Sequence, residues 1–350
     1  MSDYYNWQKT ITYDADVTMV VGARGLGKTY GLRKQFVRDY INHKWRFVEV
    51  TRTKTELQAV MHDYFAKVGL EFPQFVFKYE KARVYIADKP ADDEKPNWDV
   101  IGYFIAMTQE QQTKKMSSAF VDVRRIVFDE AILDRHDRYH KYLSREWAKL
   151  AGIVDSVSRE RAGSLKPRVY LLGNALDLTN PYFEAFGIDD YNLQFGYSWH
   201  RNKTCLLHYV EDKAYAIEKT NDTVSGRMLA DDNLESALNE FVTLRGDFVV
   251  SIKPKGAKYM FGIVCDSKEY GVYECMNDGY YWIDPALAKG DHVTFAITTG
   301  DAKINRLQAR KVEKPLMMLG DLHYSNLLRY QSSATQSNFV DVLTRFGVRY

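Results

Sequence analysis

The residues Gly22-Ala23-Arg24-Gly25-Leu26-Gly27-Lys28-Thr29 fill the pattern G-x-x-x-x-G-K-[ST] without a mismatch. The chemistry this pattern serves is triphosphate binding. Backbone N–H groups of a glycine-rich turn and of the first helical turn after it wrap the phosphates, with glycine where a side chain would block the approach. Lys28 is then placed to neutralise phosphate charge, and the Thr29 hydroxyl to hold Mg²⁺. A second, carboxylate-bearing strand is needed to orient the metal and activate a water. Ile126-Val-Phe-Asp129-Glu130 supplies both groups: Asp129 ends an apolar strand within reach of the Mg²⁺ shell, and Glu130 is the general base. A base for water favours ATP hydrolysis over the transfer to another hydroxyl that a kinase performs.

Three further groups bear on this chemistry. The strand Val169-Tyr-Leu-Leu172 ends in Gly173-Asn174; an amide there can sense the γ-phosphate or position water, or it can simply cap the next turn. Arg159 and Arg161 follow a helical stretch and precede the turn-rich Ala162-Gly-Ser-Leu-Lys-Pro167, so an exposed arginine there can reach a neighbouring subunit's nucleotide, or remain a solvated surface charge. His136 and His140 have the spacing of two ligands on one helix face, but no further ligand set accompanies them and no metal is expected there.

The elements that must position these residues are legible on either side of them. Val17–Val21 is a β-branched, apolar run suited to a buried parallel strand, and Leu32, Phe36, Val37, Tyr40 and Ile41 recur at helical spacing within Tyr30–Ile41. Arg46–Val50 reads as a second strand and Thr55–Phe65 as a helix. Phe75–Ala87 and Val100–Met107 read as strands joined by the solvated Asp88–Asn97, a hairpin added to the sheet. Arg124–Glu130, a helix over Tyr142–Arg161 and the strand Arg168–Asn174 complete an alternation that predicts a mostly parallel sheet with helices on both faces. Leu206–Val210 is one more possible strand, and a polar stretch with the helix-like Asn233–Asn239 follows. From Phe241 the signals are β: Phe248–Ile252, Tyr259–Val264, and Gly271–Met276 turning at Asn277-Asp-Gly279 into Tyr280–Asp284, then a helix over Ser337–Phe346. The expected organisation is an ATPase domain over 1–205, a linker over 206–240 and an α+β domain over 241–350.

Composition agrees with two globular domains: 350 residues, 45% apolar and 27% charged. A net charge of +2 is too small to imply nucleic-acid binding by itself, so any such site must be a local patch. Three cysteines without C-x-x-C spacing leave at least one thiol unpaired and suit a reducing cytoplasm. No run approaches the ~18 apolar residues of a membrane span, so no membrane partner is expected.

The loop, Val127-Phe-Asp-Glu130, Asp155-Ser-Val-Ser-Arg159-Glu-Arg161, Asn174-Ala175 with Asn180-Pro-Tyr-Phe183, Gly226-Arg-Met-Leu and Tyr270-Gly-Val-Tyr with Tyr281-Trp-Ile-Asp284 together resemble, in that order, the DNA-packaging ATPase (encapsidation protein) of phi29-like podophages. The resemblance implies a P-loop ATPase of the additional-strand, catalytic-glutamate type. It also implies a C-terminal ribonuclease H-like domain without nuclease chemistry; Phe248–Lys253, read as its opening strand, carries no carboxylate. It implies ATP and Mg²⁺ as cofactors and a homo-oligomeric ring, usually a pentamer. The ring would drive double-stranded DNA through the portal (connector) of a procapsid in the host cytoplasm, with a structural packaging RNA as a further partner. Lys28 and Thr29 match the nucleotide loop, Asp129 and Glu130 the metal and water positions, Arg159 the trans-acting arginine, and Lys54 a subunit-facing basic position; Thr51 and Arg52 stand where the family has adjacent arginines. Lys253, Lys255, Lys258, Lys303, Arg306, Arg310, Lys311 and Lys314 are candidates to grip DNA phosphates, with Tyr259 or Phe261 stacking on bases. Two rivals follow from the loop alone: a P-loop kinase for a small molecule, and a nucleic-acid-binding structural protein that nucleotide merely stabilises.

Overall fold

The computed structural model describes residues 5–91, 94–110, 118–133, 142–159, 166–175, 180–188, 193–210, 248–303, 305–308, 314–332, 335–336, 338–339 and 342–343. The chain divides into two compact units, Met1–Val242 and Thr243–Tyr350, and the first described helix is the short α1 (Trp7–Ile11).

In the first unit, strands that are rich in apolar residues and buried along most of their length need cover on both faces. They receive it as a parallel core: β1 (Val17–Val21), β2 (Arg46–Thr51), β5 (Asp99–Ala106), β6 (Val123–Phe128), β7 (Arg168–Gly173) and β9 (Cys205–Tyr209). The antiparallel strands β3 (Phe75–Glu80) and β4 (Arg83–Asp88) extend one edge and β8 (Gly196–His200) the other, in the order β3-β4-β5-β2-β6-β7-β1-β9-β8. The period of two decides which side chain meets which layer. Met19, Val21, Val48, Phe128 and Leu171 join Leu150, Ile153 and Val157 of α4 (Glu146–Ser158) and Phe183 and Phe186 of α5 (Pro181–Phe186). Val20, Phe47, Val127 and Leu172 face the other way, onto Leu32, Phe36 and Tyr40 of α2 (Lys28–His43) and Leu57 of α3 (Lys54–Met61). Phe36 stacks on Phe47 at 4.5 Å and is fully buried; a Phe→Ala change in such a place costs about 3–5 kcal/mol.

Two expectations need correction here. Phe75–Ala87 is not one strand but the hairpin β3–β4, turned by Lys81 and Ala82 at φ 49° and 57°. Neither residue is a turn former, so the usual Asn-Gly signature is missing. The expected hairpin with Val100–Met107 forms from its second half: β4 pairs antiparallel with β5 across the Asp88–Asn97 connection, and β5 on its other side pairs parallel with β2. The predicted boundary at 205/206 cuts through β9, which lies in register beside β1 from Val17↔Cys205 to Val21↔Tyr209, so the first sheet runs past it.

In the second unit β10 (Lys258–Cys265), β11 (Lys268–Cys275) and β12 (Tyr280–Asp284) form an antiparallel meander. β13 (Thr294–Ala296) lies parallel to β10, β14 (Leu307–Gln308) parallel to β13, and β15 (Leu328–Tyr330) parallel to β12. Ile263, Val272, Ile283 and Phe295 pack under Leu316 and Leu319 of α6 (Lys314–Tyr324) and under Phe339, Val342 and Leu343. The predicted turn at Asn277–Gly279 forms as expected, with Gly279 at φ 72° and its N–H donating to Cys275 O at 2.9 Å. Phe248–Ile252 is not the opening strand: it makes one isolated bridge, Val249 to Tyr330, and Ile252 is exposed. Pro254 follows and cannot donate to a ladder. The sheet therefore opens at β10. Gly226-Arg-Met-Leu and Asn233–Asn239 lie outside the described residues, as do His136, His140, Arg161, Arg310 and Lys311. Residues 338–339 and 342–343 of the predicted C-terminal helix are helical. Among the described residues no helix is long and apolar enough to cross a membrane.

Candidate active site

Strand β1 ends at Val21 and α2 begins at Lys28, so Gly22–Gly27 is a tight link between a central strand and a helix start. Gly25 and Gly27 sit at φ 92° and 74°, a conformation that a side chain would strain. Ala23 and Leu26 anchor the loop by packing against Val210, while Arg24 and Gly25 are exposed. Lys28 is 7% exposed, and its Nζ donates to Gly22 O and Ala23 O, both at 2.9 Å, and to Asn174 Oδ1 at 3.2 Å. A buried ammonium needs such acceptors, and they hold this one across the mouth of the loop. Of the two roles left open for Asn174, the geometry gives it a place beside Lys28. The cap at the start of α5 is Asn180, which accepts from Tyr182 N and Phe183 N.

The parallel sheet brings β6 to the same end. Thr29 Oγ1 donates to Asp129 Oδ2 at 2.7 Å, across 100 residues of sequence, and Asp129 Oδ1 accepts the N–H of Glu130 at 2.9 Å. A hydroxyl beside a carboxylate is a hard oxygen donor set, which fits Mg²⁺. Glu130 is exposed and its backbone stands at φ 53°, so the chain swings out of the strand direction immediately after Asp129. Ala131 N then donates to Leu172 O at 2.7 Å.

Two buried groups beside this centre escape a reading by motif. Arg52, 4% exposed, donates from Nη1 to Glu130 O at 2.9 Å and from Nη2 to Ala131 O at 2.8 Å. Its Nε and Nη2 meet Glu146 at 3.1 and 3.0 Å, and its guanidinium lies 4.7 Å from the Phe128 ring centre. Glu146 also accepts from Tyr182 Oη at 2.5 Å and Leu143 N at 2.7 Å. Arg52 thus faces inward, and of the pair it forms with Lys54 only Lys54 is exposed, at the start of α3. The second group is Glu49, buried in β2, which accepts from Tyr64 Oη at 2.6 Å with Arg33 at 4.0 Å. Burial pushes its carboxyl up to about 7; Arg33 opposes this and the charge of Asp129 reinforces it. A glutamate inside the apolar run Arg46-Phe-Val-Glu-Val was a signal available in the sequence.

Arg159 stands apart from these residues. It caps the C-terminus of α4, its side chain is 51% exposed, and it pairs with Asp155 at 3.2 Å. In the second unit Lys253, Lys255, Lys258, Lys303 and Lys314 are exposed, and Arg306 pairs with Glu269 at 2.7 Å. Phe261 cannot stack on bases: it is 5% exposed and packs edge-on against Phe295. The Tyr259 ring is half-buried against Tyr273 and His292.

A family model described as Podovirus DNA encapsidation protein (Gp16) matches residues 1–343 of the chain. The DNA packaging protein of Bacillus phage phi29 is 30% identical over 311 residues, 87% of this chain and 85% of that protein. That of Bacillus phage B103 is 30% identical over 268 residues, 75% of each chain. Among solved structures, the bacteriophage Phi-29 viral genome packaging motor assembly aligns with a TM-score of 0.68 at 24% identity, covering 98% of this chain and 99% of that one. The Phi-28 gp11 DNA packaging motor aligns with a TM-score of 0.62 at 19% identity over the whole of both chains. These two structures share the fold.

Proposed function

Because this chain belongs to the podovirus DNA encapsidation protein family, we propose that it is the ATPase of a ring-shaped motor that drives double-stranded DNA into a viral procapsid. The observation that carries the reading is the 2.7 Å bond from Thr29 to Asp129, with Glu130 next in the chain, at the mouth of the loop that holds Lys28. Backbone N–H groups of the glycine-rich turn and of the first residues of α2, with the Lys28 ammonium, bind the phosphates of ATP, and Thr29 and Asp129 hold Mg²⁺. Bound there, the metal neutralises phosphate charge. Glu130 takes a proton from the attacking water, Asn174 orients the polar groups around Lys28, and Arg159 of one subunit serves the site of the next.

The position of β7 between β1 and β6 supports the additional-strand, catalytic-glutamate class. In the second unit, a three-stranded meander extended beside its first strand by two parallel strands supports the ribonuclease H-like reading. Its opening strand, Lys258-Tyr-Met-Phe-Gly-Ile-Val-Cys265, carries no carboxylate, which favours a domain that holds nucleic acid without cutting it. On this reading the partners are DNA, the portal of the procapsid in the host cytoplasm, other copies in a ring, a pentamer by the resemblance, and a packaging RNA. The test is ATP hydrolysis with and without duplex DNA at several protein concentrations. Turnover should rise with DNA and with assembly, and Glu130→Gln should bind ATP without turning it over. Activity indifferent to DNA, or rapid hydrolysis by Glu130→Gln, would sink the reading.

A further inference from the structure

We propose that the N-terminal segment around Tyr5 and Trp7 is a strap that orients the phosphate loop, with Trp7 a positioning residue for nucleotide binding. This rests on reading Gly22–Thr29 as the phosphate site. Tyr5 N–H donates to Leu26 O at 2.9 Å and Trp7 Nε1–H to Lys28 O at 2.7 Å, so the strap grips the loop at two carbonyls on either side of Gly27. A trans peptide is planar, and its C=O and N–H point in opposite directions. Holding the carbonyls of Leu26 and Lys28 toward the strap therefore turns the N–H groups of Gly27 and Thr29 away from it. Those two N–H groups belong to the set that must converge on phosphate.

The strap is itself braced. Tyr5 Oη bonds His208 Nδ1 at 2.6 Å and Thr10 Oγ1 at 2.7 Å, and Tyr197 stacks on His208 with ring centres 3.7 Å apart. His208 is on β9, in register with Val20 of β1, so the brace returns to the strand that feeds the loop. Trp7 is 4% exposed and meets Tyr170 edge-on at 5.6 Å. The helix makes room for it at one position: a Cβ on Gly31 would lie 2.6 Å from Trp7 Cδ1 and 3.2 Å from Nε1. A glycine in the first turn of a helix that the loop must nucleate is unfavourable to the helix relative to alanine. Its presence is explained by the indole it admits.

The test is the affinity of the full-length protein for a fluorescent ATP analogue, with the nucleotide-free thermal midpoint measured alongside. Trp7→Phe keeps a ring and loses the bond to Lys28 O; a net hydrogen bond of ~1 kcal/mol corresponds to roughly fivefold weaker binding. Gly31→Ala should weaken binding by at least as much, and because its Cβ pushes a buried indole aside the nucleotide-free midpoint should fall with it; affinity read well below that midpoint, where the variant is fully folded, reports the loop's orientation rather than lost stability. In a Trp7→Ala background, Gly31→Ala should cost no further affinity, because the group it displaces is gone. Binding within twofold of the parent for both Trp7→Phe and Gly31→Ala, in a protein whose Lys28→Ala variant has lost binding, overturns the strap. If Lys28→Ala itself binds like the parent, the phosphate-site reading is what fails.

Discussion

The two ends of helix α4 hold their charges in opposite ways. At its first residue Glu146 is 1% exposed, and both carboxylate oxygens are engaged by Arg52, with Tyr182 and Leu143 completing the set. At its last turn Arg159 is half exposed and meets Asp155 in an i,i+4 pair. Removing one partner of a buried pair costs about 3–5 kcal/mol, whereas an exposed pair contributes about 0.2–1 kcal/mol. The first end is committed to its own subunit, where it fixes the backbone beside Glu130. The second can leave its partner at little cost and take an anion elsewhere, as an arginine serving a neighbour's site must do.

The largest expected effect breaks this comparison at the free end. Arg159→Ala should lower turnover by about 10³-fold or more, the range found for arginines that complete a phosphoryl-transfer site. Its folding stability should stay within about 0.5 kcal/mol of the parent. Mixing it with Lys28→Ala protein should restore part of the activity, since each supplies what the other lacks. No recovery under conditions where mixed rings form would count against action between subunits.

The committed end answers differently. Arg52→Ala leaves Glu146 buried without its cation, so urea denaturation should show a loss of about 3–5 kcal/mol. A loss below about 1 kcal/mol would mean that solvent reaches Glu146 and the contrast between the two ends is wrong. Arg52→Lys isolates the geometry: a point charge can satisfy Glu146 but not two carbonyls as well. Turnover should therefore fall by more than nucleotide affinity does.

These differences also explain what the sequence could disclose. The phosphate loop and Asp129-Glu130 are legible because the requirement they meet is local: glycines at positive φ, then an apolar strand ending in two carboxylates. Arg52 is silent because everything that gives it meaning is distant. Glu146 lies 94 residues on, and the carbonyls it binds 78 and 79 residues on. The sequence marks Arg52 only by resemblance, as one of two positions where the family has adjacent arginines, and nothing local tells that it turns inward. The same holds for the hairpin turn at Lys81-Ala82, whose positive φ values are imposed by the strands rather than announced by glycine or asparagine. Phe261 misled for the complementary reason: an aromatic near lysines suggests a base platform, and only the core it joins, with Phe295, Leu316 and Leu319, shows its ring turned inward.

Glu49 offers a third kind of buried charge and an intermediate effect. Its cation, Arg33, stands at 4.0 Å, a looser hold than Glu146 receives, and burial pushes its carboxyl up to about 7 from the ordinary range near 4.5. A raised carboxyl binds its proton more tightly in the folded state than in the unfolded chain. Its stabilising contribution is therefore complete below about pH 4.5 and is lost as pH rises toward 7. Over that window the slope approaches about 1.4 kcal/mol per pH unit for this group. Glu49→Gln keeps an acceptor for Tyr64 and cannot titrate, so its stability should fall less than that of the parent between these pH values. Parallel curves for the two proteins would show that Glu49 is ionised throughout and held as firmly as Glu146.

The smallest effect concerns the residue that holds Arg159 at rest. Asp155 gains from its i,i+4 arginine by about 0.3–0.5 kcal/mol, but it sits in the last turn of α4, where the helix dipole disfavours a carboxylate by a similar amount. The two contributions nearly cancel, so Asp155→Ala should leave the unfolding midpoint almost unmoved. Its consequence for function has a definite sign. If the pair is only a resting place, losing it releases the guanidinium, and turnover at low protein concentration should stay level or rise by up to about twofold, since the pair is worth a few tenths of a kcal/mol. A loss of tenfold or more would mean that Asp155 aims Arg159 rather than parking it. The exposed end of α4 would then be as tightly specified as the buried one, and the helix would hold a fixed geometry at both ends.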